Sequence, residues 1–349
     1  MYKDILRRAS HLLLVAGLCL GTLVSIGAVG KPETAPLLKV AEAAANKTTA
    51  DKAEASKPGE PVLSAEEAAR QKRASELIRW MGLTREQRQA LSVRMGADSY
   101  LLRLLEQGEL TRADLVYLAL PNGRSDRLDR YSAWAAEHPE DDAKTVVLQV
   151  NMDQDQDFYS LIWEVADPSS VTVLTNKHYI LPAGYVPKLE VLGSRYGSGS
   201  MQPEAAAAFR AMSDAARADG VTLRSVSAYR SYSTQKTTYN RYLKQYKRTV
   251  VDTFSARPGH SEHQTGLALD INVASIKANF ENTPAFAWLK KHCAEYGFIL
   301  RYDQGQDSIT GYRFEPWHYR YVGKEVAADI MERGITYEEY VALQPVWGT

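Results

Sequence analysis

The pattern of apolar and polar positions divides the chain into stretches of different character. From about Leu12 to Gly30 no residue is charged, and the run follows the cationic Lys3, Arg7 and Arg8. A positive head before about 19 apolar residues marks an export segment. Its length sits at the boundary between a cleaved signal and a spanning helix of roughly 20 residues. Residues 1–30 are therefore expected to act as a signal peptide or as a membrane anchor, with Ala28-Val29-Gly30 offering small residues for cleavage. Leu18 before Cys19 does not suit lipidation, which needs a small residue there. Residues 31–62 mix Ala, Lys, Glu, Thr and Pro without an aromatic, which predicts a disordered linker.

The next stretch repeats one motif, a hydroxyl residue followed by an apolar periodic segment. Ser64 with Glu67 three residues on has the form of a capping box, and Thr84 and Thr111 open similar segments. This predicts a string of short helices, with residues 63–143 as a helical region without a cluster of catalytic residue types. From Lys144 the pattern changes. The stretches "KTVVLQVNM" and "VTVLTNKHYIL" are rich in β-formers, with turns at Asp167-Pro168 and at Pro182-Ala183-Gly184. A helix is expected over "QPEAAAAFRAMSDAARADG", with Pro203 in its first turn and Gly220 ending it. A strand over "VTLRSVSAYRS", a helix over "STQKTTYNRYLKQY", a strand over "LALDINV" and a strand region over "YRFEPWHYRYV", broken by Pro316, follow. Helices and strands interleave without a regular βαβ period. This predicts an α+β fold over residues 144–349, a mostly antiparallel sheet with flanking helices. No internal repeat is visible.

Composition adds exclusions. Lys+Arg and Asp+Glu both number 42, so the formal net charge is zero, and no basic stripe interleaves with aromatics. Nucleic acid is not an expected partner. The chain has 20 tyrosines against 7 phenylalanines, as a polar cleft or a general tyrosine bias would give. Of its two cysteines, Cys19 falls in the apolar N-terminal run, which leaves no disulfide within the remainder. Cys293 shares a helical face with Phe286, Leu289 and Tyr296, a core position rather than that of a nucleophile.

The candidate chemistry lies in "PGHSEHQTGLALD", residues 258–270, and in Glu315-Pro316-Trp317-His318 downstream. Zinc sites that cleave amides use three protein ligands and keep a fourth position for water. Two histidines and one aspartate, His263, Asp270 and His318, fit that rule. A carboxylate that is not a ligand must still carry a proton from the water to the leaving amine, and Glu315, three residues before His318, is placed for it. Alone, Glu-x-x-His or His-x6-Asp is a weak signal; together they are a strong one. His260 reads as lining a cleft or making a structural hydrogen bond, Glu262 as facing solvent and Trp317 as walling the site. His292 reads as a helix-surface residue and His178 as a loop residue.

Three blocks, "SAYRSYSTQ", "PGHSEHQTGLALDI" and "ITGYRFEPWHYRYVG", resemble the signatures of the VanY-type D-alanyl-D-alanine carboxypeptidases, zinc peptidases of a superfamily shared with lysostaphin-like peptidases and the hedgehog signalling domain. The resemblance runs from about Leu120 to about Ile330. It implies one zinc per chain held by His263, Asp270 and His318, with Glu315 as general base and then acid. It assigns Arg230 to the substrate's scissile carbonyl or terminal carboxylate, with Gln235 and Ser261 completing a polar clamp. Arginine's planar fork suits a carboxylate. The function implied is removal of the C-terminal D-alanine from peptidoglycan stem peptides outside the cytoplasmic membrane. Its alternatives are L,D-carboxypeptidase cleavage of tetrapeptide stems, endopeptidase cleavage of crosslinks, and a wall-binding module without catalysis, which would have no need of Glu315.

Overall fold

In the computed structural model, residues 63–273 and 279–347 are described. The export segment expected at 1–30 and the linker expected at 31–62 lie outside the described residues. Among the described residues, no helix is long and apolar enough to cross a membrane.

The helical N-terminal stretch forms as its caps dictate. Helices α1 (Ala65–Ile78), α2 (Arg85–Ala97) and α4 (Arg112–Leu118) open with capping boxes, Ser64 with Glu67, Thr84 with Gln87 and Thr111 with Asp114. Asp98 caps α3 (Ser99–Glu106) through the N–H groups of Tyr100 and Leu101. These helices bury Ile78, Leu91, Met95, Leu101 and Leu115 in one apolar cluster. Helix α5 (Leu128–Glu137) packs against α6 (Ala143–Asn151), with Tyr131, Val146, Val147 and Val150 in a second cluster.

Helix α6 corrects the expected strand over "KTVVLQVNM". The Asp142 side chain accepts from the N–H of Thr145 and starts a helix. Val146, Val147 and Val150 then lie on one helical face against Tyr131, so tertiary burial overrides the β preference of valine. The "VTVLTNKHYIL" stretch is likewise mostly irregular. Only Tyr179–Ile180 (β2) pairs there, in parallel with Trp163–Glu164 (β1). Strands β3 (Glu190–Val191) and β4 (Ser200–Met201) form a second short pair.

The remaining chain builds the main sheet and its cover. Helix α7 (Pro203–Ala218) starts with Pro203 at its first position, and Gly220 follows it at φ 77°. After it come β5 (Arg224–Ser227), α8 (Tyr232–Leu243), α9 (Arg248–Val251), β6 (Ala268–Asn272), α10 (Pro284–His292) and β7 (Phe298–Leu300). The chain continues through α11 (Asp307–Thr310), β8 (His318–Tyr321), α12 (Lys324–Arg333) and α13 (Tyr337–Leu343). The four-stranded sheet has the order β5-β6-β8-β7, antiparallel throughout, which makes the fold α+β as expected.

The period of two along each strand sorts the sheet into an apolar and a chemical face. Leu269 and Ile271 of β6, Phe298 of β7 and Tyr319 and Tyr321 of β8 join Phe209 and Met212 of α7 and Leu289 of α10 in the main core. Asp270 and His318 alternate with these residues and take the opposite face. That alternation sends the polar side chains of two apolar strands into one place.

Candidate metal centre and active-site cleft

Asp270 and His318 are direct partners across the β6–β8 ladder. His263 reaches the same point from a single 3-10 turn, Glu262–Thr265, closed by Gly266 at φ 70°. The N–H of Arg230 donates to the carbonyl of His263, which fixes the turn beside the segment leaving β5. One donor atom from each of His263, Asp270 and His318 lies within 4.8 Å of the others. Asp270 Oδ1 is 3.5 Å from His263 Nε2 and 3.2 Å from His318 Nδ1.

The donor set fits a zinc ion. His263 Nδ1 lies 2.7 Å from the carbonyl of Ala228, so that nitrogen holds the proton and Nε2 keeps its lone pair towards Asp270. Two imidazoles and one carboxylate converge and leave a side open to a cleft, as a catalytic zinc requires. The electrostatics agree. Burial pushes the Asp270 carboxyl up, but the adjacent His263 and His318 outweigh it and hold the group well below the usual carboxylate range. Burial lowers His263 below its ordinary value. Burial also acts to lower His318, but its hydrogen bonds with Asp270 and Glu262 raise it to about 9. A cation at this centre would take the place of that proton.

Glu315 is buried, with its Oε2 4.0 Å from His318 Nδ1, and burial lifts its carboxyl to about 7. Its backbone N–H donates to the carbonyl of Tyr302, and its own carbonyl accepts from the N–H of His318, a tight turn that carries Glu315 beside the cluster. Arg230 stands 3.8 Å from Asp270 Oδ2. Its guanidinium donates to Gln235 Oε1 at 2.9 Å and to Ser227 Oγ at 2.9 Å, which leaves the rest of its five donors for other partners. The Gln235 amide donates in turn to the carbonyl of Ala256 at 2.7 Å, so Gln235 props Arg230 and both ends of its amide are occupied. Ser261, His263, Asp270, Glu315, Trp317 and His318 border one cavity of about 340 Å³ with Arg230 and Gln235. The structure thus brings every expected site residue to one cleft. Trp317 also packs against the main core. Farther along the cleft, the Arg313 guanidinium lies over the Phe254 ring at 4.6 Å and that of Arg241 over Tyr242 at 5.4 Å.

A family model described as D-alanyl-D-alanine carboxypeptidase, VanY, matches residues 198–324. The putative carboxypeptidase YodJ of Bacillus subtilis (strain 168) is 37% identical over 191 residues, which cover 50% of this chain and 68% of that protein. The chain belongs to the VanY family. The bifunctional D-Ala-D-Ala dipeptidase and carboxypeptidase VanXYC of Enterococcus gallinarum is 35% identical to this VanY-family chain over 148 residues, 40% of this chain and 76% of that one. Among solved structures, the LdcB LD-carboxypeptidase superposes with a TM-score of 0.49 at 37% identity, over 51% of this chain and 89% of the other.

Other histidines fall outside the centre. His260 is buried, with Nδ1 2.8 Å from the carbonyl of Asn176, the structural hydrogen bond expected of it. His178 is buried beside the carbonyl of Leu161, and His292 pairs with Glu295 at the end of α10.

One reading is overturned. Glu262 does not face solvent; it is 2% exposed, with Arg301, Arg320 and His318 around its carboxylate. The 3-10 turn that carries His263 to the cleft also buries Glu262, which borders the same cavity and lies against His318. Arg301 and Arg320, which the sequence reading passed over, are the signal that was available: each is a charged residue in or beside an apolar strand of this face, and such a charge calls for a buried partner.

Proposed function

We propose that this protein is a zinc-dependent carboxypeptidase that removes the C-terminal D-alanine from peptidoglycan stem peptides, acting outside the cytoplasmic membrane. One observation carries the reading: His263 Nε2, Asp270 Oδ1 and His318 Nδ1 converge beside a buried Glu315 and an anchored Arg230 in a single cleft. The family membership and the printed activities of the relatives support it.

His263, Asp270 and His318 would hold the zinc, one per chain. When bound, zinc supplies a water acidified towards neutrality and a pole that polarises the scissile carbonyl. Glu315 takes the proton from the attacking water and passes it to the leaving amine. Its raised carboxyl suits both halves of that task, because a group poised near neutrality gains and loses a proton at low cost. Arg230 binds the carboxylate at the substrate's chain end. A free carboxylate is the chemical difference between a chain end and a chain middle, and it needs a cation with directional donors once it leaves water. Gln235 positions Arg230, Ser261 adds a hydroxyl two residues before His263, and Trp317 walls the site.

Residues 144–349 form the catalytic region in this reading. The helices of 63–143 have a packing role, supported by the Asn122 amide, which donates to the carbonyl of Ala342 in α13. The N-terminal apolar segment delivers the chain to the outer side of the membrane, as a signal or as an anchor.

The test is mass spectrometry of defined stem peptides incubated with the full chain. The reading expects loss of one alanine from pentapeptide ends, abolished by a chelator and restored by zinc. Cleavage of tetrapeptide ends alone would transfer the assignment to L,D-carboxypeptidase activity, and cleavage inside crosslinks alone would make the protein an endopeptidase.

A further inference from the structure

His318 uses both of its ring nitrogens. Nδ1 faces Asp270 Oδ1 at 3.2 Å, and on the far side of the ring Nε2 lies 3.3 Å from Glu262 Oε2. Glu262 is wholly enclosed. Its Oε1 accepts from Arg301 Nε at 2.8 Å and from an Arg320 terminal nitrogen at 3.1 Å, which leaves Oε2 for the imidazole. The second carboxylate of this network is Glu338 of α13, which accepts from both terminal nitrogens of Arg301 at 2.8 and 2.6 Å. Two guanidiniums and two carboxylates therefore balance in charge, with His318 at one edge.

We infer that Glu262 is the positioning residue of the metal centre: through its contact with Nε2 it fixes the orientation and tautomer of His318, so that Nδ1 presents its lone pair to the metal. With two guanidiniums donating to it, the Glu262 carboxylate stands as an acceptor, so a neutral His318 between Glu262 and a metal carries its proton on Nε2. A carboxylate behind a ligand imidazole also raises the basicity of the nitrogen that binds. His263 has only a backbone carbonyl behind it, that of Ala228. The centre is thus asymmetric, with His318 the ligand made the stronger donor. Arg301 and Arg320 prevent Glu262 from relaxing. Arg320 is further pinned by donating to the carbonyls of Val171, Val173 and Tyr321.

This inference rests on the zinc reading above, and the test separates the two. Zinc affinity of the full chain is measured by chelator competition for the wild type, Glu262→Gln and Glu338→Gln, with melting temperatures and the visible spectrum of the cobalt-substituted proteins alongside. Glu262→Gln should weaken zinc binding about 10- to 100-fold and alter the cobalt spectrum. Glu338→Gln removes a carboxylate from the same buried network without touching His318. It should lower the melting temperature but leave zinc affinity and the cobalt spectrum as in the wild type. Equal zinc affinity in Glu262→Gln and wild type, or an equal loss in Glu338→Gln, would overturn the inference alone. A wild type that holds no zinc would sink the metal reading and this inference with it. Should Glu262→Gln fail to fold, nitrogen-15 NMR of histidine-labelled, zinc-loaded wild type decides: a slowly exchanging proton on His318 Nε2 is expected, and a proton on Nδ1 would overturn it.

Discussion

At the scale of single residues, the proposed chemistry is divided among side chains that each have one task. Glu315 differs from Asp270 in surroundings: Asp270 sits between two imidazoles that hold it ionised, whereas burial lifts Glu315 to about 7. Removing only the proton-accepting ability should therefore leave the metal in place. Glu315→Gln is expected to bind zinc like the wild type and to lose about 10²–10⁴-fold in kcat; metal analysis and steady-state kinetics on one preparation check both, and near-normal turnover would remove Glu315 from the mechanism. Arg230 gives a second expectation. Its fork is already spanned by Gln235 and Ser227, and lysine cannot reproduce that geometry. Arg230→Lys should cost nearly as much in kcat/KM as Arg230→Ala, roughly 2–4 kcal/mol of transition-state stabilisation. That His263, Asp270, Glu315 and His318 would share one cleft was legible in the sequence, because few residue types can bind zinc or carry a proton beside it and their spacing is narrow. Glu262 was not. Its partners Arg301 and Arg320 lie 39 and 58 residues away in the chain, so nothing local distinguishes it from a surface glutamate.

At the scale of elements, the sheet register does the assembling. A slip of one residue in β6 against β8 would turn Asp270 into the core and Leu269 into the cleft. Strands β6 and β8 could be read from the sequence because their apolar alternation is strong, while "KTVVLQVNM" misled because valine content says less than the aromatic surface waiting to bury it. The turn that carries His263 depends on Gly266, at φ 70°, where an added Cβ would meet Pro187, Leu189 and Gln202 at 3.1–3.3 Å. Left-handed backbone and crowding both oppose a side chain there. Gly266→Ala should lose about 1–3 kcal/mol in denaturant unfolding, and wild-type stability in that variant would show that the turn is not constrained as described.

At the scale of the whole molecule, the metal centre is tied to distant parts of the fold. Glu338 links α13 to Arg301, and the carbonyl of Ala342 in the same helix accepts from Asn122 and Asn151. Trp347 Nε1 donates to the carbonyl of Leu120. The links made by Asn122, Asn151 and Trp347 were invisible in the sequence, since they end on backbone carbonyls that any residue can supply. The interior they help to close can be probed at Cys293, which is 1% exposed and whose thiol burial pushes up to about 12. Only the thiolate alkylates, so peptide-resolved labelling with iodoacetamide at pH 8 should leave Cys293 unmodified in the native protein and modify it fully in denaturant. Ready native labelling would mean that this core opens locally.

In the proposed function the cleft reads a chain end and hydrolyses the bond before it. The decisive measurement is kcat/KM of the zinc-loaded full chain on a pentapeptide stem with a free C-terminal carboxylate and on its amidated twin, side by side. Release of terminal D-alanine from the free acid, with none from the amide, is the expected result; equal rates on the two would contradict the role of Arg230 and the carboxypeptidase reading with it.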